Sequence, residues 1–169
     1  GWGAIEILVH GLRCTLEEEG HEVHIVNTPD KQEIIQQTNS LNADFVHIQY
    51  ENHIDVVPHL SCAHVAASAH NAYLDQPNKW VNDSSYSRII GGFASTGVNV
   101  FAPSEAVAKA FIFAGVDKSK ISVVHNGTSG DNFKFSETCE YPDMSLYLAK
   151  VDFRKRQHLF QGRLFLDFP

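Results

Sequence analysis

Four basic side chains lie close together near the end of the sequence, at Lys150, Arg154, Lys155 and Arg156. The apolar run before Lys150 predicts a strand and the residues after it predict a helix, so the cluster falls at a helix amino terminus. Cations there oppose the helix dipole and cost roughly a few tenths to 1 kcal/mol each unless an anion is bound. A diphosphate would relieve that repulsion and accept hydrogen bonds from backbone N–H groups. The spacing fits equally well a solvated basic surface that Asp152 partly compensates.

His70 stands at the end of a predicted strand, directly before a polar loop at 71–85. Open α/β sheets place their ligands at the carboxyl ends of their strands. An imidazole there could donate to a substrate hydroxyl or stabilise developing negative charge. A structural histidine at a sheet edge is the commoner outcome, and His47, inside a strand, is assigned such a structural role. None of the ten histidines has a partner at a spacing typical of metal ligands, so no metal site is predicted.

Two further places combine small and polar residues just after predicted strands. Asn126 and Gly127 tolerate the φ > 0 conformations that let a backbone turn sharply beneath a sugar or phosphate. Ser104 is a good helix N-cap, and Glu105 sits where the helix dipole favours an anion, so both are explained without a ligand. All four are candidate cleft residues, with a plain turn and a helix cap as the structural alternatives.

Gly1 and Gly3 precede a helix with an apolar stripe that includes Ile5, Leu8 and Leu12. Glycines at a helix start let a phosphate or sugar approach the backbone N–H groups, although a flexible chain end explains them equally well. A helix of this kind in an α/β fold normally follows a strand. We therefore expect the first strand of the sheet to lie outside the sequence given.

The elements that would position these residues alternate between strands and helices. Six strand-like runs are found, at 22–27, 44–50, 64–70, 98–102, 121–124 and 144–150. Helical segments separate several of them, which is the pattern of a parallel sheet covered on both faces. We predict an α/β fold with a doubly wound parallel sheet. Periodicity is lost between 127 and 142, which predicts a domain at 1–138 and the beginning of a second, truncated domain at 139–169.

Composition narrows the class of protein. The 169 residues are 43% apolar and 20% charged, which is typical of a soluble globular protein, and a net charge of −7 argues against a nucleic-acid-binding surface over the whole molecule. No apolar run approaches the ~20 residues that span a bilayer, so a cytoplasmic location is the default. Three scattered cysteines predict neither disulfides nor a zinc site. The phosphate-binding loops of P-loop NTPases and dinucleotide oxidoreductases and the nucleophile elbow of serine hydrolases are not present in the sequence.

Taken in order, short sequence motifs along the chain resemble those of the retaining glycosyltransferases of family 4, which have the GT-B fold. The motifs in the first domain lie at 1–16, 20–23, 44–47, 70, 101–105, 115–116, 121–124, 126–127 and 133. The family's donor domain then opens with Gly-Arg-hydrophobic, three residues and Lys-Gly. The matching positions here are 149–151 and 155–156, where Ala149, Lys150 and Arg156 depart from the family's glycine, arginine and glycine.

The resemblance implies a Rossmann-like GT-B N-terminal domain and the role of each site residue. His70 would lie near the transferred sugar, and Lys150 and Lys155, with Arg154 beside them, would bind the donor diphosphate. The donor would be a UDP- or GDP-sugar and the acceptor a glycan or a lipid-linked molecule, with no cofactor, no metal and no nucleic acid. A peripheral association with a membrane surface would follow from a lipid-linked acceptor.

The family's further donor domain carries two glutamates seven residues apart that hold the donor sugar and ribose. Nothing after Arg163 supplies them, so the chain is expected to be a fragment with little activity of its own. The alternative from another class is a non-enzymatic sugar- or anion-binding α/β module. A nucleotide-sugar epimerase is a third interpretation, which the missing cofactor loop disfavours.

Overall fold

A computed structural model describes residues 3–70, 84–127, 130 and 136–138 of the chain. Its four α-helices are α1 (Ala4–Glu18), α2 (Lys31–Ser40), α3 (Ser84–Thr96) and α4 (Glu105–Phe113). Its four strands are β1 (Val46–Ile48), β2 (Val65–Ser68), β3 (Asn99–Ala102) and β4 (Ile121–Val123). Two 3₁₀ helices, Glu51–His59 and Lys118–Lys120, precede β2 and β4.

The four strands form one parallel sheet in the order β1-β2-β3-β4. Val46 pairs with Val65, Ala67 with Val100, and Phe101 with Ser122. Hydrogen bonds continue the pairing past the strand ends, since Ala69 N donates to Phe101 O at 3.1 Å and Val124 N to Ala102 O at 2.8 Å. Because every pair is parallel, the carboxyl ends of all four strands lie along one edge of the sheet.

Alternate residues of these strands face opposite sides of the sheet, and one side forms the core. Its buried strand residues are Ile48, Ala67, Ala69, Val100 and Ala102. Phe93 of α3 and Phe111 of α4 belong to the same core, with ring centroids 4.8 Å apart and no exposed surface. Burial of each such side chain contributes roughly 1.5–3 kcal/mol, so this side of the sheet provides much of the fold's stability.

Helix α3 and the Glu51–His59 helix approach each other closely at Gly92. A Cβ built on Gly92 would lie 2.5 Å from Cγ2 of Ile54, a side chain with no exposed surface. A Cβ on the neighbouring Gly91 would meet nothing within 4 Å. Glycine at position 92 is therefore required by packing, whereas glycine at position 91 is not.

Short polar residues and glycines mark the helix ends. Asp30 caps α2, because its carboxylate accepts from Gln32 N at 2.8 Å and Glu33 N at 3.1 Å. Gly20, after α1, has φ +89° and Gly115, after α4, has φ +95°. These left-handed conformations favour glycine and end both helices.

The expected α/β fold with a parallel sheet is confirmed in the described residues, and so are four of the predicted strands. The prediction of a strand at 22–27 is wrong: these residues form no ladder in the structure. The sixth predicted strand, 144–150, lies outside the described residues, as does all of the predicted second domain at 139–169. Contacts divide the chain into two compact units, Gly1–Gly127 and Thr128–Pro169.

Several large apolar side chains outside the core are exposed. Phe45, just before β1, is 50% exposed, and Ile25 is exposed to the same extent. Helix α1 buries none of its residues, and Ile7 and Leu12 on it are exposed. None of the helices within the described ranges is both long and apolar enough to cross a bilayer.

Candidate functional site

The candidate site lies where β1 and β2 end. Gln49 follows β1 directly, and His70 follows β2 by two residues. On the side of the sheet opposite the core, β1 places His47 and Gln49 two residues apart, and β2 places Ser68 and His70 two residues apart. The pairing of Ile48 with Ala67 sets these two pairs of polar residues beside each other.

A continuous chain of hydrogen bonds joins the four side chains. His70 Nε2 donates to Gln49 Oε1 at 2.8 Å, and Gln49 Nε2 donates to His47 Nδ1 at 2.9 Å. His47 Nε2 then donates to Ser68 Oγ at 2.8 Å. We call these four residues the polar chain; all three of its hydrogen bonds are partly buried.

Burial holds both histidines of the polar chain in the neutral form. Burial, followed by the charge of nearby His70, lowers the pKa of His47 from 6.5 to about 4. Burial also lowers the pKa of His70. At neutral pH both rings are therefore uncharged and act as paired hydrogen-bond donors and acceptors.

Aromatic rings pack against His47 on the same side of the sheet. The Phe101 ring of β3 meets the imidazole edge to face, with centroids 5.1 Å apart, and the Phe45 ring lies at 6.2 Å. These rings take water away from the imidazole, which is the desolvation that lowers its pKa. His47 is thus fixed by apolar contacts as well as by hydrogen bonds.

The structure gives Ser104 the role of a cap. Its Oγ accepts from Val107 N at 3.3 Å, at the amino terminus of α4. Glu105 follows in the first turn and is exposed. Both stand at the carboxyl end of β3, the strand beside β2, so they share a sheet edge with His70.

Asn126 and Gly127 lie at the same edge after β4. Neither has a positive φ, and a Cβ on Gly127 would meet nothing within 4 Å. The pair therefore does not use the φ > 0 conformations that it tolerates, and its role as a pair of cleft residues stays a prediction. His125 beside them donates from Nδ1 to Pro103 O at 3.0 Å, which ties the ends of β3 and β4 together.

Gly3 serves as the N-cap residue of α1, where it has φ −83° and ψ 175°. The carboxylate of Glu6 lies over it, since a Cβ on Gly3 would come within 2.5 Å of Glu6 Oε2. An acidic side chain of the protein itself thus lies beside the helix terminus, where the helix dipole favours negative charge. The other predicted site residues lie outside the described residues: Gly1, Lys150, Arg154 and Lys155.

Sequence reasoning did not find Gln49 and Ser68, and it gave His47 only a structural role. The signal that could have found them is the alternation of polar residues, at 47 and 49 and again at 68 and 70, in two otherwise apolar strands. Two such pairs on neighbouring strands share one side of a sheet when the register aligns them. The register itself comes only from the structure.

The remaining described surface offers few other sites. Among residues 3–70 and 84–127, no group of three or more His, Cys, Asp and Glu side chains is placed to hold a metal ion. A groove of about 370 Å³ runs between α3 and α4, lined mainly by apolar side chains that include Ile90, Ala110 and Phe113. None of the polar chain residues lines this groove.

The chain was compared with protein-family models, with curated proteins and with solved structures, and none of the three comparisons gave a match.

Proposed function

We propose that this chain is the acceptor-side part of a retaining glycosyltransferase with a doubly wound GT-B architecture. Such an enzyme moves a sugar from a UDP- or GDP-sugar to a glycan or lipid-linked acceptor. The single observation that carries the proposal is His70, at the carboxyl end of a central parallel strand and held by a hydrogen bond to Gln49. The ordered sequence motifs that resemble the family suggest the substrates, a nucleotide-sugar donor and a sugar acceptor.

The chemistry assigned to His70 depends on its being neutral and fixed. Sugars are recognised by hydrogen bonds to their hydroxyl groups, and a ring held in place forms such bonds without reorganising in the transition state. The described residues around His70 supply that preorganisation. In this proposal the donor diphosphate is bound by Lys150 and Lys155 with Arg154.

The test is sugar transfer from a panel of UDP- and GDP-sugars, measured as nucleotide release. Two proteins are assayed: the 169-residue chain and the longest reading frame that contains it. His70→Ala is expected to lower kcat about 10²- to 10³-fold, as removal of a preorganised hydrogen-bonding group does. Lys155→Ala is expected to weaken donor binding and to raise KM for the donor.

His64→Ala is the matched control. His64 precedes β2 at the opposite, amino end of the same strand, and it is exposed. Its replacement is expected to leave transfer unchanged. Equal activity of the His70→Ala and His64→Ala proteins would contradict the proposal. Sugar binding without transfer, in both the 169-residue chain and the longest reading frame, would favour a non-enzymatic binding module.

A further inference from the structure

Among the described residues, Gln49 links the two histidines of the polar chain by hydrogen bonds, and its amide has a direction. The amide oxygen only accepts and the amide NH₂ only donates. Because Oε1 faces His70 Nε2, that nitrogen must carry a proton; because the NH₂ faces His47 Nδ1, that nitrogen must not. One amide therefore fixes the tautomers of both rings.

We infer that Gln49 is a positioning residue that holds His70 in the Nε2–H tautomer and leaves Nδ1 as its accepting nitrogen. The ligand group that meets His70 is then a hydrogen-bond donor, such as a sugar hydroxyl, and not a phosphate oxygen. This inference rests on the proposed function for the identity of the ligand as a sugar. The tautomer itself follows from the geometry of Gln49.

The other end of the polar chain is compatible with this direction. His47 Nε2 carries the remaining proton of a neutral ring and donates to Ser68 Oγ at 2.8 Å. A hydroxyl accepts such a bond and can donate its own proton onward. Every hydrogen bond from His70 to Ser68 thus runs in one sense, with no position at which two donors or two acceptors face each other.

The experiment measures long-range ¹H–¹⁵N correlations of the histidine rings in the ¹⁵N-labelled 169-residue chain at pH 7.5. Signals are assigned with His70→Gln and His47→Gln. Both rings are expected as Nε2–H tautomers with unprotonated Nδ1. A His70 ring protonated at Nδ1 would overturn the inference.

Two substitutions at Gln49 separate positioning from folding. In Gln49→Leu, His70 is expected to lose a tautomer preference of about fivefold, the effect of one net hydrogen bond. Gln49→Glu keeps the size of the side chain but only accepts, so His47 is expected to change to the Nδ1–H tautomer while His70 keeps Nε2–H. Gln36→Leu, at an exposed position of α2, is the control and should change neither ring.

If Gln49→Leu does not fold, Gln49→Glu decides the question, because unchanged His47 and His70 rings in that protein would contradict the inference. Two probes test the ligand class in the wild-type chain. Methyl α-glucoside or methyl α-mannoside is expected to shift the His70 Nδ1 signal, and inorganic phosphate is not. A response to phosphate alone, or to none of the probes, would contradict contact with a hydroxyl.

The tautomer measurements and the transfer assay distinguish failure of the Gln49 inference from failure of the proposed function. The expected tautomers in a protein that transfers no sugar would leave Gln49 as a positioning residue and count against the transferase. Sugar transfer by a protein whose His70 is protonated at Nδ1 would count against Gln49 alone.

Discussion

The neutral form of His47 is part of the folded state. Its pKa is about 4 in the fold and near 6.5 in the unfolded chain, so between these values the unfolded chain binds more protons. The free energy of unfolding is therefore highest above pH 6.5 and falls as the pH falls towards about 4. The full difference corresponds to ~3 kcal/mol, and burial of His70 and His53, which also lowers their pKa values, adds a loss of the same sign.

We predict that His47→Gln flattens this pH dependence. Urea unfolding followed by circular dichroism, between pH 4 and pH 7.5, measures it. His64→Gln, at an exposed position, should keep the slope of the wild-type protein. The same slope in the His47→Gln and wild-type proteins would show that another group is responsible.

At the residue scale, the sequence predicts where a residue lies in a strand or helix better than it predicts which side chain it hydrogen-bonds. The strand ends and the caps could be predicted because they depend on neighbours in the chain, as Ser104 and Gly115 show. The partners of His70 could not be, because Gln49 belongs to another strand and meets His70 only through the β1–β2 register. A shift of one residue would have turned Gln49 to the core side.

At the element scale, the packing of α3 on the Glu51–His59 helix makes two adjacent glycines respond in opposite directions. Gly92→Ala places a methyl group against buried Ile54 and is expected to destabilise the fold by about 1–3 kcal/mol. Gly91→Ala meets no neighbour and is expected to stabilise it by up to about 1 kcal/mol, because alanine favours a helix. Thermal unfolding of the two variants measures the difference, and destabilisation by Gly91→Ala as well would show that position 91 lacks the described space.

The incorrect strand at 22–27 has a physical cause at the same scale. Its composition favours an extended chain, but a strand needs a neighbour to which its backbone groups can bond. In the described residues the segment has no such neighbour, and Ile25 stays half exposed. Local pattern thus predicted the conformation that the residues prefer, not whether a partner is present.

At the scale of the whole molecule, the described core is assembled within the first compact unit. All of its buried members lie between Ile48 and Val116, inside Gly1–Gly127. We therefore predict that residues 1–127 alone unfold cooperatively in urea, with a free energy of unfolding within about 0.5 kcal/mol of the complete chain, a change no larger than most surface substitutions cause. A broad, non-cooperative transition would contradict this prediction.

The order β1-β2-β3-β4 also has a consequence for how the protein reaches its fold. Each strand pairs only with strands that come next to it in the sequence, among those described, and the β1–β2 and β3–β4 pairings close the shorter loops. The pairing of Val46 with Val65 and that of Val100 with Ile121 join residues close in the sequence. The pairing of β2 with β3 spans the longer segment that includes α3. Two halves of the sheet can thus form early and independently as the chain leaves the ribosome, with their merger as the slower step.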